Sequence, residues 1–325
     1  MITITKNEVS AHVLAALENV QATDRSDLER AEALVEIALD LQKQPREPQE
    51  LFDAIYLYER AVELSENVPL AQARAIAGRG SALRRLPGGG EEALAAARAA
   101  FEEALDVMRA RGEAEEVAEV DLSYGLVLQA QANSGRAKLP DAIAAYQRAL
   151  RLFKRETHPR EFAVLHNNLA TAYLSMRMSG DKMREALAVQ SFREALKVVT
   201  IEEDPTEYAM LQNNLGNALQ AVESAHRFEN LTRAVEAYDE ALRVRTEYDT
   251  PIEYANTLAN KANAVMNLPD DADDPELGNQ QNVSSAIELL EQAGRVFEEN
   301  RVVDRAAVVR ELAAELGREL EVAHG

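Results

Sequence analysis

Asparagine side chains recur at helical spacing near residue 260. Four of them follow the spacing i, i+4, i+7, i+11, which places them on one stripe of an α-helix. They are Asn256, Asn260, Asn263 and Asn267. Asparagine is costly inside a helix because its side chain competes for backbone hydrogen bonds, so a stripe of four indicates a function. Each amide offers donors and an acceptor, which suits a row that holds the main chain of another polypeptide.

Polar residues occupy the same stripe in the two preceding segments. The candidate peptide-binding residues are Asn167, Asn168, Thr171, Asn213, Asn214, Asn217, Asn256, Asn260, Asn263 and Asn267. In the alternative interpretation the amides bond between adjacent helices or face solvent, with no ligand. We favour the groove, but the spacing leaves both interpretations open.

A second candidate is a group of arginines. Arg74, Arg84 and Arg85 lie close to the corresponding stripe of an earlier segment. Guanidinium groups bind carboxylate, an acidic peptide or phosphate through paired hydrogen bonds. The alternative, which we favour for these arginines, is pairing with nearby glutamates. Those glutamates are Glu32, Glu36, Glu115 and Glu119.

Other patterns do not assemble into a catalytic or metal site. The five histidines show no ligand spacing, and no nucleophile elbow occurs. The glycines at 88–90 lack the Gly-Lys-Ser/Thr of a phosphate loop and predict a turn. The acidic run at 270–276 lacks the order of a calcium loop. The sequence therefore predicts a protein that is not an enzyme and needs no cofactor.

Composition narrows the choice of partner. The formal charge of −21 disfavours nucleic acid and anionic membrane surfaces. The chain has no cysteine, and no apolar run approaches the roughly 18–20 residues of a membrane span. The first residues lack the layout of a signal peptide, so we expect a cytoplasmic location and a protein or peptide partner.

A repeat organises these residues. Related segments begin at positions 159, 205 and 251, a spacing of 46 residues, and helix formers dominate throughout. We predict one helix with a small residue, then a second helix with a large apolar residue between two alanines. The small residues are Ala38, Gly80, Gly125, Ala170, Gly216, Ala262 and Ala314. The second-helix triplets are Ala54–Tyr58–Ala61, Ala97–Phe101–Ala104, Ala142–Tyr146–Ala149, Ala188–Phe192–Ala195, Ala234–Tyr238–Ala241 and Ala286–Leu290–Ala293. Small residues let two helices approach, and the large side chain fills the space between them.

This pattern resembles the tetratricopeptide repeat family. The resemblance rests on large–small–x–x–large in the first helix and Ala–x₃–aromatic–x₂–Ala in the second. The phrase Glu-aromatic-Ala…Asn-Asn-Leu is similar to the long repeats of kinesin light chains and of bacterial regions beside CHAT domains. The resemblance implies an all-α, right-handed solenoid of about six helix-turn-helix repeats with a C-terminal capping helix. In this family the first helices line the concave surface, where Asn168, Asn214 and Asn260 would face a ligand.

The expected boundaries follow from the repeat. An N-terminal helical segment at 1–25 precedes an array at 26–300, and a capping helix and tail occupy 301–325. The repeats are expected at 26–68, 69–112, 113–158, 159–204, 205–250 and 251–300. Arg79 and Lys261 stand where the family places leucine. Either those repeats pack less tightly, or the long stems lie along apolar surface with the charge outside. Residues 267–282 are expected to form a mobile acidic loop.

The functional prediction is a non-enzymatic scaffold that binds a peptide or protein segment in its concave groove. The alternative is a structural or regulatory subunit of a larger bacterial complex. Such a subunit would use its convex face, its ends or the acidic loop. The oligomeric state is open.

Overall fold

Helices form all of the regular secondary structure in the residues that the structure describes. The computed structural model describes residues 4–22, 24–176, 182–222, 226–271 and 273–323. These ranges contain fourteen α-helices and no strand, as the composition predicts. None of the described helices is both long enough and apolar enough to cross a bilayer.

The chain divides into two compact units, Met1–Thr157 and His158–Gly325. The helices of unit 1 are α1 (Ala11–Ala22), α2 (Asp27–Lys43), α3 (Gln49–Leu64), α4 (Pro69–Arg84), α5 (Gly90–Arg111), α6 (Ala114–Asn133) and α7 (Leu139–Ala149). Those of unit 2 are α8 (Pro159–Ser175), α9 (Lys182–Ala195), α10 (Pro205–Ala221), α11 (Arg227–Leu242), α12 (Pro251–Val265), α13 (Gln280–Glu299) and α14 (Val303–Ala323). Within each unit every helix from α2 onward packs against the next one in the chain. Single 3₁₀ turns occur at Lys6–Glu8 and Pro275–Leu277.

Local sequence sets where the helices begin. Proline is the first residue of α8, α10 and α12, where its fixed φ suits a helix and its missing N–H costs nothing. The Asp204 carboxylate caps α10 by accepting from the Glu207 amide at 3.0 Å. The turn predicted at 88–90 is confirmed, because Gly88 and Gly90 have φ of 72° and 53°, which favour glycine.

The predicted helix packing is confirmed at the second-helix triplets. All eighteen side chains of the six triplets are buried. In two hairpins the ring of the triplet lies directly on the glycine of the first helix. A Cβ built on Gly216 would lie 2.6 Å from the Tyr238 ring, and one on Gly125 would lie 2.5 Å from Tyr146. Only glycine lets these rings approach the helix so closely.

The last helix departs from the prediction by one residue. Ala314 is exposed, so its assignment as a packing position is wrong. The buried residues of α14 are Ala306, Val309, Ala313 and Leu316. This face meets α13, and one step along a helix turns a side chain by about 100°, which carries Ala314 away from the contact.

Of the two cations that stand at expected leucine positions, Lys261 has a largely covered stem and a charge that forms an ion pair. The Lys261 side chain is 20% exposed, and its ammonium pairs with the Asp239 carboxylate of α11. Arg79 is half-buried. A long stem on apolar surface with a charged end near solvent satisfies both parts of such a side chain.

The N-terminal helix expected in residues 1–25 is observed as α1 and is fixed by a buried carboxylate of α3. Asp53 is fully buried and accepts from the Ser10 amide at 2.9 Å and from its hydroxyl at 2.6 Å. Val13 and Leu17 of α1 are buried in the same hydrophobic cluster as residues of α2 and α3. This segment therefore covers apolar surface that the first hairpin would otherwise expose.

The acidic loop before α13 is tied at both ends by hydrogen bonds. The Asp270 carboxylate accepts from the amides of Gln281 and Asn282, at 2.9 and 2.8 Å. The Asn282 side chain donates to the Pro269 carbonyl at 2.9 Å. The expected mobile segment thus contains a polar cap for the start of α13.

Candidate functional site: an amide-lined cleft in unit 2

Three helices of unit 2 and the turn after α12 border an open cleft whose lining is mostly carboxamide. The cleft has a volume of about 430 Å³, at the small end of the range for ligand sites. We call it the amide cleft. It is lined by Asn217, Gln220, Ala221, Arg227, Leu231, Asn260, Asn263 and Asn267. Four of the predicted site residues therefore meet in one place.

The floor of the amide cleft is anchored to a buried tyrosine. Because Gly216 lets the Tyr238 ring lie against α10, the tyrosine hydroxyl reaches the polar side chains of that helix. The hydroxyl donates to Asn217 Oδ1 at 2.7 Å and accepts from Gln220 Nε2 at 2.6 Å. Burial raises the pKa of Tyr238, so the hydroxyl keeps its proton at neutral pH. These bonds fix the orientation of the Asn217 amide.

Amide hydrogen bonds connect the first helices α10 and α12. Asn263 Nδ2 donates to Gln220 Oε1 at 2.9 Å, and Gln220 Nε2 donates to the Asn260 carbonyl at 3.2 Å. Asn260 Nδ2 donates to Asn213 Oδ1 at 3.2 Å. Bonding between adjacent helices, which the sequence left as the alternative, is therefore present in the structure.

Asn267 and Arg227, which also line the amide cleft, bond to each other. Asn267 Nδ2 donates to the Asn263 carbonyl at 2.8 Å, and Arg227 Nη2 donates to Asn267 Oδ1 at 3.2 Å. Both ends of the Asn267 amide are thus used by the protein. Arg227 is the one cation among the described residues that line the cleft.

Three amides of the cleft keep unused hydrogen-bonding capacity. Asn217 Nδ2, Asn260 Oδ1 and Asn263 Oδ1 have no protein partner within the described ranges. Asn263 is exposed and the other two residues are half-buried. The cleft therefore offers one donor and two acceptors on side chains whose other ends are held by the protein.

The remaining predicted asparagines and Thr171 do not line this cleft. On α8, Asn168 Nδ2 donates to the Val164 carbonyl at 2.9 Å, and the Thr171 hydroxyl donates to the Asn168 carbonyl at 3.0 Å. Asn167 Oδ1 is buried and has no hydrogen-bond donor among the described residues.

Asn213 is 9% exposed, and Asn214 is half-buried on α10. Asn256 Oδ1 accepts from Arg305 Nη1 of α14 at 2.6 Å.

The predicted arginines lie in α4 or directly after it and have several environments in unit 1. Arg74 pairs with Glu116, with Nε 2.8 Å from Oε1, whereas the sequence suggested other glutamates. Arg85 donates to the Gln42 carbonyl. Burial, and then the charge of Arg85, lower the pKa of Arg84. Ion pairing with a glutamate, the alternative that we favoured, is thus found at Arg74.

Gln220 is the central residue of the cleft, and the asparagine stripe did not identify it. The sequence does carry a signal, because glutamine stands four residues after the small residue wherever the triplet centre is tyrosine. These pairs are Gln42 with Tyr58, Gln129 with Tyr146, and Gln220 with Tyr238. Where the centre is Phe101, Phe192 or Leu290, the position holds Arg84, Leu174 or Met266. The Tyr146 hydroxyl donates to Gln129 Oε1 at 2.7 Å, so the pairing is direct in two hairpins.

The fold and cleft together define an all-α protein of consecutively packed helices with a polar, amide-lined site. A scan of family models and a search of curated proteins each found no match to the chain. The amide cleft is the feature from which a function can be argued.

Proposed function

We propose that the chain is a non-enzymatic scaffold of tetratricopeptide-like repeats that binds an extended segment of another protein at the amide cleft. In this proposal each unit contributes three repeats of a right-handed solenoid, and α14 is the cap. The buried triplets and the ring-on-glycine contacts support such repeats. The polar face of α14 suits a terminal helix.

The observation that carries the proposal is that three cleft amides each have one end bonded to the protein and the other end available for hydrogen bonding. Main-chain recognition needs a donor for a carbonyl and an acceptor for an N–H, both fixed in space. Asn217 supplies the donor, and Asn260 and Asn263 supply the acceptors, while Tyr238, Asn213 and Gln220 hold their other ends. Because the amides are neutral and preorganised, binding depends little on the side chains of the ligand.

The test uses one substitution that keeps its anchoring bond and one that removes a whole amide. Asn217→Asp keeps an oxygen for the Tyr238 hydroxyl and removes the donor, and Asn263→Ala removes an exposed amide. Binding of peptides selected from a displayed library of short random sequences is measured by calorimetry. We expect each variant to weaken binding by about tenfold, the effect of one lost hydrogen bond to a fixed partner.

The matched control is Asn300→Ala, which removes an asparagine of the same unit outside the cleft. Its amide donates to the Val296 carbonyl at the end of α13. Affinity equal to that of the unaltered chain is expected. Peptides that bind all three variants alike would refute the amide cleft as the binding site, and circular dichroism shows whether the variants remain folded.

A second candidate is a subunit that associates through the acidic loop. Besides Asp270, which holds its base, the loop exposes four further carboxylates and an apolar side chain. These are Asp271, Asp273, Asp274, Glu276 and Leu277, the last 69% exposed. A basic partner would complement this surface. Neutralising the four carboxylates and leaving Asp270 intact should abolish association in this case and leave peptide binding at the amide cleft unchanged.

A further inference from the structure

A second cleft lies in unit 1, where α5 ends, α6 begins and α7 ends. Its volume is about 400 Å³. Three arginines line it, Arg109, Arg148 and Arg151, together with Asp121 and the apolar side chains of Val117, Ala118 and Leu152. We call it the arginine cleft. All of these residues belong to unit 1.

A buried carboxylate positions two of the three arginines. Asp121 is 2% exposed, and its Oδ1 accepts from Arg109 Nη2 at 2.9 Å. The same oxygen accepts from Arg148 Nε at 3.0 Å and from Nη2 at 2.8 Å. The Arg109 and Arg148 side chains are 41% and 32% exposed, so both guanidiniums also reach solvent. Asp121 thus holds two charged groups in fixed positions at the surface of a cleft.

The arginines retain donors that the protein does not use. Among the described residues, Arg109 Nε and Nη1, Arg148 Nη1 and the whole Arg151 guanidinium have no acceptor. Asp121 is the only carboxylate among the described residues that line the cleft. Glu116 of the first turn of α6 is paired with Arg74 and does not line it. Three positive charges against one negative charge leave the cleft at +2, in a chain whose net charge is −21.

We propose that the arginine cleft binds a phosphate monoester group. Such a group carries about −1.5 to −2 charges at neutral pH and three acceptor oxygens, which match the charge and the unused donors of the cleft. Guanidinium forks suit the oxygens of a phosphate better than point charges do. The apolar side chains of Val117, Ala118 and Leu152 accept the carbon part of the ester. The source is a small phosphate ester or a phosphorylated side chain of a protein.

The charge of the arginine cleft favours a phosphate monoester over a carboxylate. A single carboxylate brings one negative charge and two oxygens, so it leaves one positive charge uncompensated. A polynucleotide meets the acidic remainder of the chain, which repels it. The group that fits is therefore a compact dianion rather than a monoanion or a polyanion.

The experiment measures binding of phenyl phosphate to the full chain by titration calorimetry at low ionic strength. Arg109→Gln and Arg151→Gln each remove one cation from the cleft, and Arg148 still pairs with Asp121 in both. We expect one saturable site and about tenfold weaker binding in each variant, the effect of losing a hydrogen bond to a charged group. Arg111→Gln is the control, because it lowers the net charge equally at the end of the same helix but lies outside the cleft.

Two comparison ligands show whether the arginine cleft prefers phosphate to carboxylate, and whether the phosphate comes from a protein or from a small ester. Benzoate has the same ring with one negative charge, and we expect it to bind at least tenfold more weakly than phenyl phosphate. A phosphoserine peptide that binds more tightly than phenyl phosphate indicates a protein source, and the reverse order indicates a small ester. Absence of saturable binding, equal binding of benzoate, or equal weakening by Arg111→Gln would overturn the proposal.

Discussion

The amide cleft of unit 2 and the arginine cleft of unit 1 differ in how they achieve polarity on the same kind of helical hairpin. The first joins neutral amides through a buried tyrosine, and the second fixes two guanidiniums with a buried carboxylate. The buried triplets that pack the helices keep their two alanines in both units. Core positions therefore set the framework, and the residues beside them set the chemistry of each cleft.

The two clefts should also differ in physical behaviour. Attraction between an anion and a cleft of charge +2 acts over distance and is weakened by salt. Hydrogen bonding by fixed amides acts only at contact and depends on geometry. The charged cleft is expected to select ligands by charge, and the amide cleft by the arrangement of donors and acceptors.

The largest expected effect is a steric one. In Gly216→Ala the added Cβ would lie 2.6 Å from the buried Tyr238 ring, so the ring or α10 must shift. We expect a loss of about 3 kcal/mol in the free energy of unfolding, measured by urea denaturation. Gly125→Ala should have a similar effect in unit 1, where the Cβ meets Tyr146 at 2.5 Å.

Gly317→Ala is the matched control for both glycine substitutions. Apart from its chain neighbours and the backbone of its own helix, no atom of the described residues lies within 4 Å of the Cβ position of this glycine. Alanine should therefore raise the free energy of unfolding by up to about 1 kcal/mol. A loss at Gly317 as large as that at Gly216 would contradict the ring-on-glycine explanation.

Removing the Tyr238 or the Tyr146 hydroxyl compares how much the hydrogen bonds of each hydroxyl stabilise its unit. In Tyr238→Phe, Asn217 and Gln220 both lose a partner, and in Tyr146→Phe only Gln129 loses one. We expect losses of about 2 and about 1 kcal/mol in the free energy of unfolding, respectively. Urea denaturation of both variants measures the difference, and equal losses would show that the second bond of Tyr238 adds no stability.

The same tyrosines predict a loss of stability in alkali. Burial raises the pKa of Tyr146 and of Tyr238 above the value of about 10 in an unfolded chain. The contribution of these two tyrosines to the free energy of unfolding is complete below pH 10. It declines as the pH rises from 10 towards the folded-state pKa, because the phenol groups ionise in the unfolded chain first. The decline is about 1.4 kcal/mol per pH unit for each tyrosine. Denaturation between pH 9 and pH 11 should show a smaller decline in Tyr238→Phe, and an unchanged slope would count against this origin.

Ionic strength should produce the smallest effect and the sharpest contrast between the clefts. Raising salt from about 0.05 to about 0.5 M shortens the range of charge interactions several-fold. We expect phenyl phosphate binding to weaken several-fold, while a peptide bound at the amide cleft changes by less than about twofold. Calorimetric titrations at the two salt concentrations measure both, and a strong salt effect on the peptide would mean that Arg227 dominates its binding.

The sequence predicts the helices and their packing well because each repeat has the same short-range spacing of small and large apolar residues. The triplets and the proline starts depend on neighbours three or four residues away, which spacing shows directly. Ala314 fails because a terminal helix has a neighbour on one side only, so its buried face is not fixed by the repeat. The last helix is set by its contact with α13.

The clefts are predicted less completely because they depend on how separate helices meet. The asparagine stripe identified Asn217, Asn260, Asn263 and Asn267, but spacing within one helix does not show which part of the stripe meets the next helix. Asp121 lies 12 residues from Arg109 and 27 from Arg148, on three different helices. No periodic pattern links these three, so only the tertiary structure brings them together.

Asn217 gives the chain an internal optical probe. A guest that accepts from Asn217 Nδ2 polarises the amide whose Oδ1 accepts from the phenol of Tyr238. The chain has nine tyrosines and no tryptophan, so phenol groups dominate its near-ultraviolet emission. Occupation of the amide cleft should therefore alter tyrosine emission without an attached dye, and the change should vanish when Tyr238 is phenylalanine.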